Sequence, residues 1–253
     1  MSETSEPFQS GRQNLSKAAG DRKPIVAIDG PAGSGKSSVA REVARFLGWT
    51  YVTTGAIYRT LGLILNENKL SVQDKAGLDW AVGEISRLYR QESETGLVFL
   101  GDRNVSTLIK SPAISEMASV IAADANVRFA LLPVQRQVVE NCRGAVVDGR
   151  DMGTVVFPDA LVKVFLTASP AERARRRASE LVSLGKEADP VALAREIDAR
   201  DHRDASRVTA PMVAASDAVT IDSTNLDMPS VVQRILEFCT AAGIVAEKSK
   251  SPY

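Results

Sequence analysis

Eight consecutive residues, Gly30-Pro31-Ala32-Gly33-Ser34-Gly35-Lys36-Ser37, read G-x-x-x-x-G-K-[ST] and stand between two patterns that constrain their surroundings. Before them, Ile25-Val26-Ala27-Ile28 is a short apolar run that predicts a buried parallel strand ending at Asp29-Gly30. After them, Val39, Val43 and Leu47 recur at i, i+4 and i+8, which predicts one buried helix face stopped by Gly48. In a strand, glycine-rich loop and helix of this kind, backbone N–H groups and the positive end of the helix dipole converge on one anion.

Gly30, Pro31, Ala32, Gly33, Ser34, Gly35, Lys36, Ser37 and Ser38 are therefore candidates to hold the phosphates of ATP. Lys36 can reach the β- and γ-phosphates, and the Ser37 hydroxyl can ligate a Mg²⁺ that bridges them. Such a loop does not separate a kinase from a motor or a switch. A guanine-reading N-K-x-D is absent, because the nearest text, Asn68-Lys69-Leu70-Ser71, lacks the Asp.

Three further apolar runs end in polar residues, at Ala145 to Asp148, Val162 to Leu166 and Ala218 to Asp222, with helical patterns between most of them. A second strand is expected before Thr54. This alternation predicts an α/β fold, a parallel five-stranded sheet with helices on both faces. From about residue 66 to 124 the text changes to charged helical sequence and a hairpin, Leu97 to Leu100 turning through Gly101-Asp102 to Val105, which reads as an insert beside the second substrate. Pro133 interrupts a helical pattern from Val127 to Cys142 and predicts a kink or boundary there. Pro229 to Ala242 places Val232, Ile235, Leu236 and Cys239 on one packing face, with Gly243 as the stop.

The chain has 253 residues, 44% hydrophobic and 25% charged, enough for one α/β domain carrying a smaller insert. Basic and acidic residues balance at 31 each, so no overall field favours nucleic acid or an anionic membrane, and phosphate chemistry needs a local basic pocket. No segment approaches the ~18 apolar residues of a membrane span. Met1 to Lys23 reads as a flexible tail, with the folded domain running from 24 to 253. Cys142 and Cys239 fit no metal-ligand spacing and read as free or packed thiols, which suits a reducing cytoplasm.

Two other loops open at strand ends, where ligands bind in open α/β sheets: Thr54-Gly55-Ala56-Ile57-Tyr58-Arg59 and Asp148-Gly149-Arg150-Asp151-Met152-Gly153-Thr154. An arginine on a loop is ordinarily a solvated charge, but beside the glycine-rich loop both point to phosphate.

Taken with Ile28-Asp29-Gly30-Pro31, the unbroken run Asp148 to Ala160, Arg200 to Arg207 and Asp222-Ser223-Thr224, the chain resembles the bacterial cytidylate kinases from Pro24 to about Ala242. The resemblance implies a P-loop NTPase fold with an insert that binds the nucleoside monophosphate, a short lid at about 170–190, and a monomer. It implies transfer of the γ-phosphoryl of MgATP to CMP or dCMP. Thr54, Arg59, Asp148, Arg150, Arg200 and Arg207 are implied around the acceptor, Asp204 at the sugar, and Ser119, Arg128 and Asp151 at the base. Arg173, Arg176 and Arg177 resemble lid arginines that act with Lys36 on the transferring group. Chemistry agrees, since guanidinium forks match phosphate oxygens and Asp151 can accept from the cytosine amino group. If helical, Arg200, Asp204 and Arg207 share one face. No general base is implied, and His202, the one histidine, reads as a surface residue. The chain departs from the family at Thr53, usually Asp, and Lys110, usually Arg.

Overall fold

The computed structural model describes residues 23–183, 185 and 187–244. The expected tail, apart from Lys23, lies outside them, as do Leu184 and Lys186 of the expected lid and residues 245–253 of the expected domain.

Five parallel strands form the main sheet: β1 (Ile25–Asp29), β2 (Thr50–Thr53), β6 (Ala145–Gly149), β7 (Val162–Thr167) and β8 (Val219–Asp222), in the order β2-β6-β1-β7-β8. β1 is central, with Ile28 opposite both Asp148 and Val164. Its period of two divides the core. Val26 and Ile28 join Val146, Val164 and Leu166 beneath α1 (Lys36–Leu47) and the C-terminal helix α8 (Met228–Ala241). Ala27 and Val147 face the other way, onto α5 (Ala125–Gln137) and a π-helical turn at Met152–Val156. The predicted face of α1 is buried at Val39, Val43 and Leu47, and Gly48 ends that helix at φ 67°, a conformation costly for any residue with a Cβ.

Between β2 and β6 lie α2 (Thr54–Glu67), α3 (Lys75–Leu88), a small antiparallel sheet of β3 (Tyr89–Gln91), β4 (Val98–Leu100) and β5 (Arg103–Asn104), and α4 (Pro112–Ile121). The expected hairpin is β4 and β5; β3 adds a strand that three residues of mixed text did not signal. One apolar cluster runs through Ile57, Leu61, Leu78, Ile85, Ala118, Val127 and Leu131, joining α2, α3, α4 and α5.

Three expectations need correcting. Of the kink or boundary expected at Pro133, the boundary is absent, because α5 runs through it. The N–H that proline lacks would have bonded to the carbonyl of Phe129, on a turn whose side chain is 81% exposed, where water can serve that carbonyl. The helical pattern expected to reach Cys142 instead gives way to tight turns after Gln137. Arg207 is not helical: α7 (Pro190–Ala205) carries Arg200 and Asp204 and is capped by Ser206. No single helix among the described residues is long and apolar enough to cross a membrane.

Leu61→Ala should remove fully buried contacts at the centre of the four-helix cluster. The expected loss is about 2–5 kcal/mol, read as a lower urea midpoint at an unchanged slope; a midpoint equal to that of wild type would show that this cluster does not support the fold.

Candidate active site

Most helices have their first turns capped by a side chain: Asp74 on α3, Ser111 on α4, Asp124 on α5, Asp189 on α7 and Asp227 on α8. Helix α6 (Pro170–Ser183) is served by Ser169, whose Oγ accepts from the Glu172 N–H at 3.3 Å. Helices α1 and α2 have no such cap. Both start at the carboxyl ends of sheet strands, so their free N–H groups and positive dipole ends face one cleft. Two anion positions side by side follow from that geometry.

The glycine-rich loop is braced from outside by α6, which covers most of the segment expected to form the lid, and by α7. Gly30 sits so close to β7 that an added Cβ would lie 2.0 Å from the Leu166 carbonyl oxygen. Arg173 on α6 donates to the Ala32 carbonyl at 3.1 Å and pairs with Asp201, whose carboxylate accepts from the Ala32 N–H at 2.9 Å. Arg176 donates to the Ser34 carbonyl at 3.1 Å and to Ser223. Arg177 pairs instead with Glu180 nearer solvent. Inside the loop, Lys36 is buried and donates to the Pro31 carbonyl at 3.0 Å. Burial pushes its ammonium well below the ordinary lysine range, and Arg150 adds to the effect.

Asp148, at the end of β6, joins the two halves of the cleft. Its carboxylate accepts from Ser37 Oγ at 2.8 Å and from the Tyr51 hydroxyl at 2.9 Å, and its carbonyl accepts from Thr54 Oγ1 at 3.1 Å. Ser37 Oγ and the Asp148 carboxylate are hard oxygens of the kind Mg²⁺ selects. No group of three acidic, His or Cys residues suited to a metal occurs among the described residues. An ion there would complete its shell with phosphate and water, which is how Mg²⁺ is commonly held, so the residues present fit it.

Across the cleft, Arg200 lies within electrostatic reach of Arg59, Arg150 and Arg207, and Arg59 within reach of Arg150. Arg150 and Arg207 share Asp204, with Arg150 Nε donating to it at 2.8 Å. Arg59 and Arg200 are in no ion pair among the described residues, and the buried Nε atoms of Arg59, Arg200 and Arg207 meet no acceptor. Desolvation and the neighbouring guanidiniums lower Arg200 to about 9 and Arg207 to about 10. Buried cations without partners are costly, and an arriving anion relieves the cost.

Beside them, Arg128 and Asp151 form an ion pair exposed by only 6% and 3%, and Arg128 also donates to the Ala122 carbonyl at 3.2 Å. The Tyr58 hydroxyl is buried nearby without a partner. Ser119 Oγ on α4 accepts from Arg203 Nε at 3.4 Å, and Arg203 also pairs with Glu116, tying α7 to the insert. Asp29 fixes the turn that follows Asp151 by accepting from the Met152 and Gly153 N–H groups, both at 2.8 Å. Burial raises its carboxyl to about 6 despite those two bonds.

Thus every residue expected at the acceptor lies in this cleft, Arg207 from a loop rather than a helix face and Ser119 at its edge. His202 is exposed, as expected. Missing from the sequence reading were the roles of Asp29, Tyr51, Tyr58 and Asp201. Asp29 stood inside the quoted Ile28-Asp29-Gly30-Pro31 and Asp201 inside Arg200 to Arg207, but nothing in either run indicates which backbone each carboxylate serves. Of the two departures, Thr53 offers no cap to α2, and Lys110 is exposed.

Comparison with known proteins gives the family. The model of the cytidylate kinase family matches residues 26–241. The chain belongs to the cytidylate kinase family. It is 42% identical to the cytidylate kinase of Carboxydothermus hydrogenoformans, over 84% of this chain and 95% of that one. It is 44% identical to the cytidylate kinase of Desulfitobacterium hafniense, over 83% and 90%, and 43% identical to that of Methylococcus capsulatus, over 84% and 95%. In this cytidylate kinase family member, the cleft between α1 and α2 is flanked by two helix starts that lack a side-chain cap.

Arg200→Met should remove a desolvated cation that lacks a partner. The ligand-free variant is expected to melt a few degrees above wild type, by about 1 kcal/mol, while losing most of its stabilisation by added inorganic phosphate. A variant that melts lower and keeps its response to phosphate would contradict this account of the cleft.

Proposed function

We propose that this chain transfers the γ-phosphoryl group of MgATP to CMP or dCMP, giving ADP and CDP or dCDP. One observation carries the reading: a cluster of desolvated arginines, two of them without an anionic partner, lies between a glycine-rich loop and a buried Arg–Asp pair. Family membership supports it.

In this reading the uncapped start of α1 and the loop N–H groups cradle the β-phosphate, and Lys36 regains its proton affinity against the β- and γ-phosphates. Ser37 and Asp148 would hold Mg²⁺, which would supply positive charge against the phosphate oxygens. Arg59, Arg150, Arg200 and Arg207, with the first turn of α2 and the Thr54 backbone, hold the acceptor phosphate in line with the donor. Asp204 orients Arg150 and Arg207, and its spare lone pairs can accept from a sugar hydroxyl. Arg173 braces Ala32 and Arg176 braces Ser34, which brings positive charge from one helix to the loop around the transferring group, while Arg177 stays with Glu180. The attacking phosphate monoester is already largely ionised near neutral pH, its second pKa being ~6, so no general base is required.

Base choice follows from the Arg128–Asp151 pair. Asp151 has only acceptor oxygens and suits the cytosine N4 amino group, while Arg128 and Ser119 can donate to N3 and O2. Uracil would set its O4 carbonyl against a carboxylate, two acceptors facing each other across a dry site.

A coupled ADP-release assay with MgATP and CMP, dCMP, UMP, AMP or shikimate tests this. Turnover is expected with CMP and dCMP alone and is expected to stop when the metal is chelated. Asp151→Ala should lower kcat/KM for CMP by at least ~100-fold, the scale of leaving a buried charge unpaired. Faster turnover of another acceptor would overturn the base assignment while leaving the donor site standing.

A further inference from the structure

Strand β2 is an outer strand of the main sheet, so its outward backbone groups have no strand to pair with. Side chains from the insert meet them instead. The Tyr51 N–H donates to Ser93 Oγ at 2.7 Å, and the Thr53 N–H donates to Gln91 Oε1 at 3.1 Å. Gln91 Nε2 donates in turn to the Tyr51 carbonyl at 3.3 Å. A primary amide carries both a donor and an acceptor and so can serve a backbone acceptor and a backbone donor on the same strand edge, and the pair of contacts fixes which way the amide faces. No backbone ladder joins β2 to β3, and a cavity of about 180 Å³ opens beside them, lined by Thr50, Val52, Tyr89 and Gln91 among others. The hold on this strand edge is thus made by side chains.

The same amide reaches the acceptor cleft from behind. Gln91 Oε1 also accepts from the Tyr89 hydroxyl at 3.2 Å, and the half-buried Tyr89 lies within electrostatic reach of the Arg59 guanidinium. Thr53 immediately precedes Thr54, the first residue of α2, and one turn later that helix carries Arg59. One side chain therefore grips the peptide at the entrance to the acceptor loop and the ring that flanks its arginine.

We propose that Gln91, assisted by Ser93, is a positioning residue for the acceptor phosphate, setting Thr54 and Arg59 through the edge of β2. The proposal rests on the reading of that cleft as the CMP site. A displacement on the order of 1 Å of a group that aligns a substrate can cost up to ~100-fold, so a bond one residue from the loop is felt there and not at the ATP loop across the cleft.

The test is steady-state kinetics of the full chain with CMP and ATP varied separately, comparing wild type with Gln91→Leu, which is similar in volume and lacks both hydrogen-bonding functions. KM for CMP is expected to rise about tenfold while KM for ATP stays within twofold. If both constants stay within twofold and only the melting temperature falls, Gln91 merely docks the insert and the proposal is overturned. Should Gln91→Leu not fold, Ser93→Ala and Tyr89→Phe decide: each is expected to raise KM for CMP about threefold, and unchanged values overturn it. Wild-type turnover of CMP separates the two levels. Without it the activity reading falls and the proposal with it; with it, the variant ratios judge Gln91 alone.

Discussion

Positive charge held out of water is the constraint around which the cleft is built. Lys36, Arg59, Arg150, Arg200 and Arg207 are brought together where desolvation lowers their affinity for protons, and each guanidinium is close enough to weaken the others. Left alone, such an arrangement would open to solvent. It is held closed by apolar layers on both faces of the sheet and by the four-helix cluster under the insert, whose burial offsets the electrostatic cost. In the proposed function the missing negative charge is supplied by phosphate, which would link binding energy and fold stability through the same groups.

The carboxylates are deployed unevenly, and that unevenness separates tasks. Asp201 goes to the loop backbone and Arg173, Asp29 to the turn after Asp151, and Asp204 to two arginines at once. Asp151 is kept for Arg128 alone. Asp148 stands between the halves, taking a serine from the donor loop, a tyrosine from β2 and a threonine from the acceptor loop. Few carboxylates are left to neutralise Arg59 and Arg200, and that is what keeps the cleft receptive to an anion.

Much of this was legible in the residues. A short apolar run before eight glycine-rich positions and a 3.6-residue period after them require strand, loop and helix, because each pattern buries apolar surface only in that conformation. Arg59 and Arg150 could be named because their loops follow strand ends, and Arg200 and Arg207 because their run matches a family's order. Harder to read were features that depend on a partner far along the chain. β3 is three residues of mixed character, stable only beside β4. Pro133 inside α5 is tolerated because its turn faces water. Arg207 was placed on a helix by extending a period one turn too far, past Ser206.

By itself, the sequence determined the α/β class, the position of the phosphate loop and the inventory of charged groups, since these rest on local periodicity and on chemistry that each side chain carries wherever it sits. Which charges lost their partners was decided only by tertiary structure. Desolvation and pairing are properties of neighbours, and Asp201 beside Ala32, Gln91 beside Thr53 and Asp148 beside Ser37 are separated by 169, 38 and 111 positions along the chain. No spacing rule spans such gaps; the sheet order does, by bringing the ends of β1, β2 and β6 to one cleft.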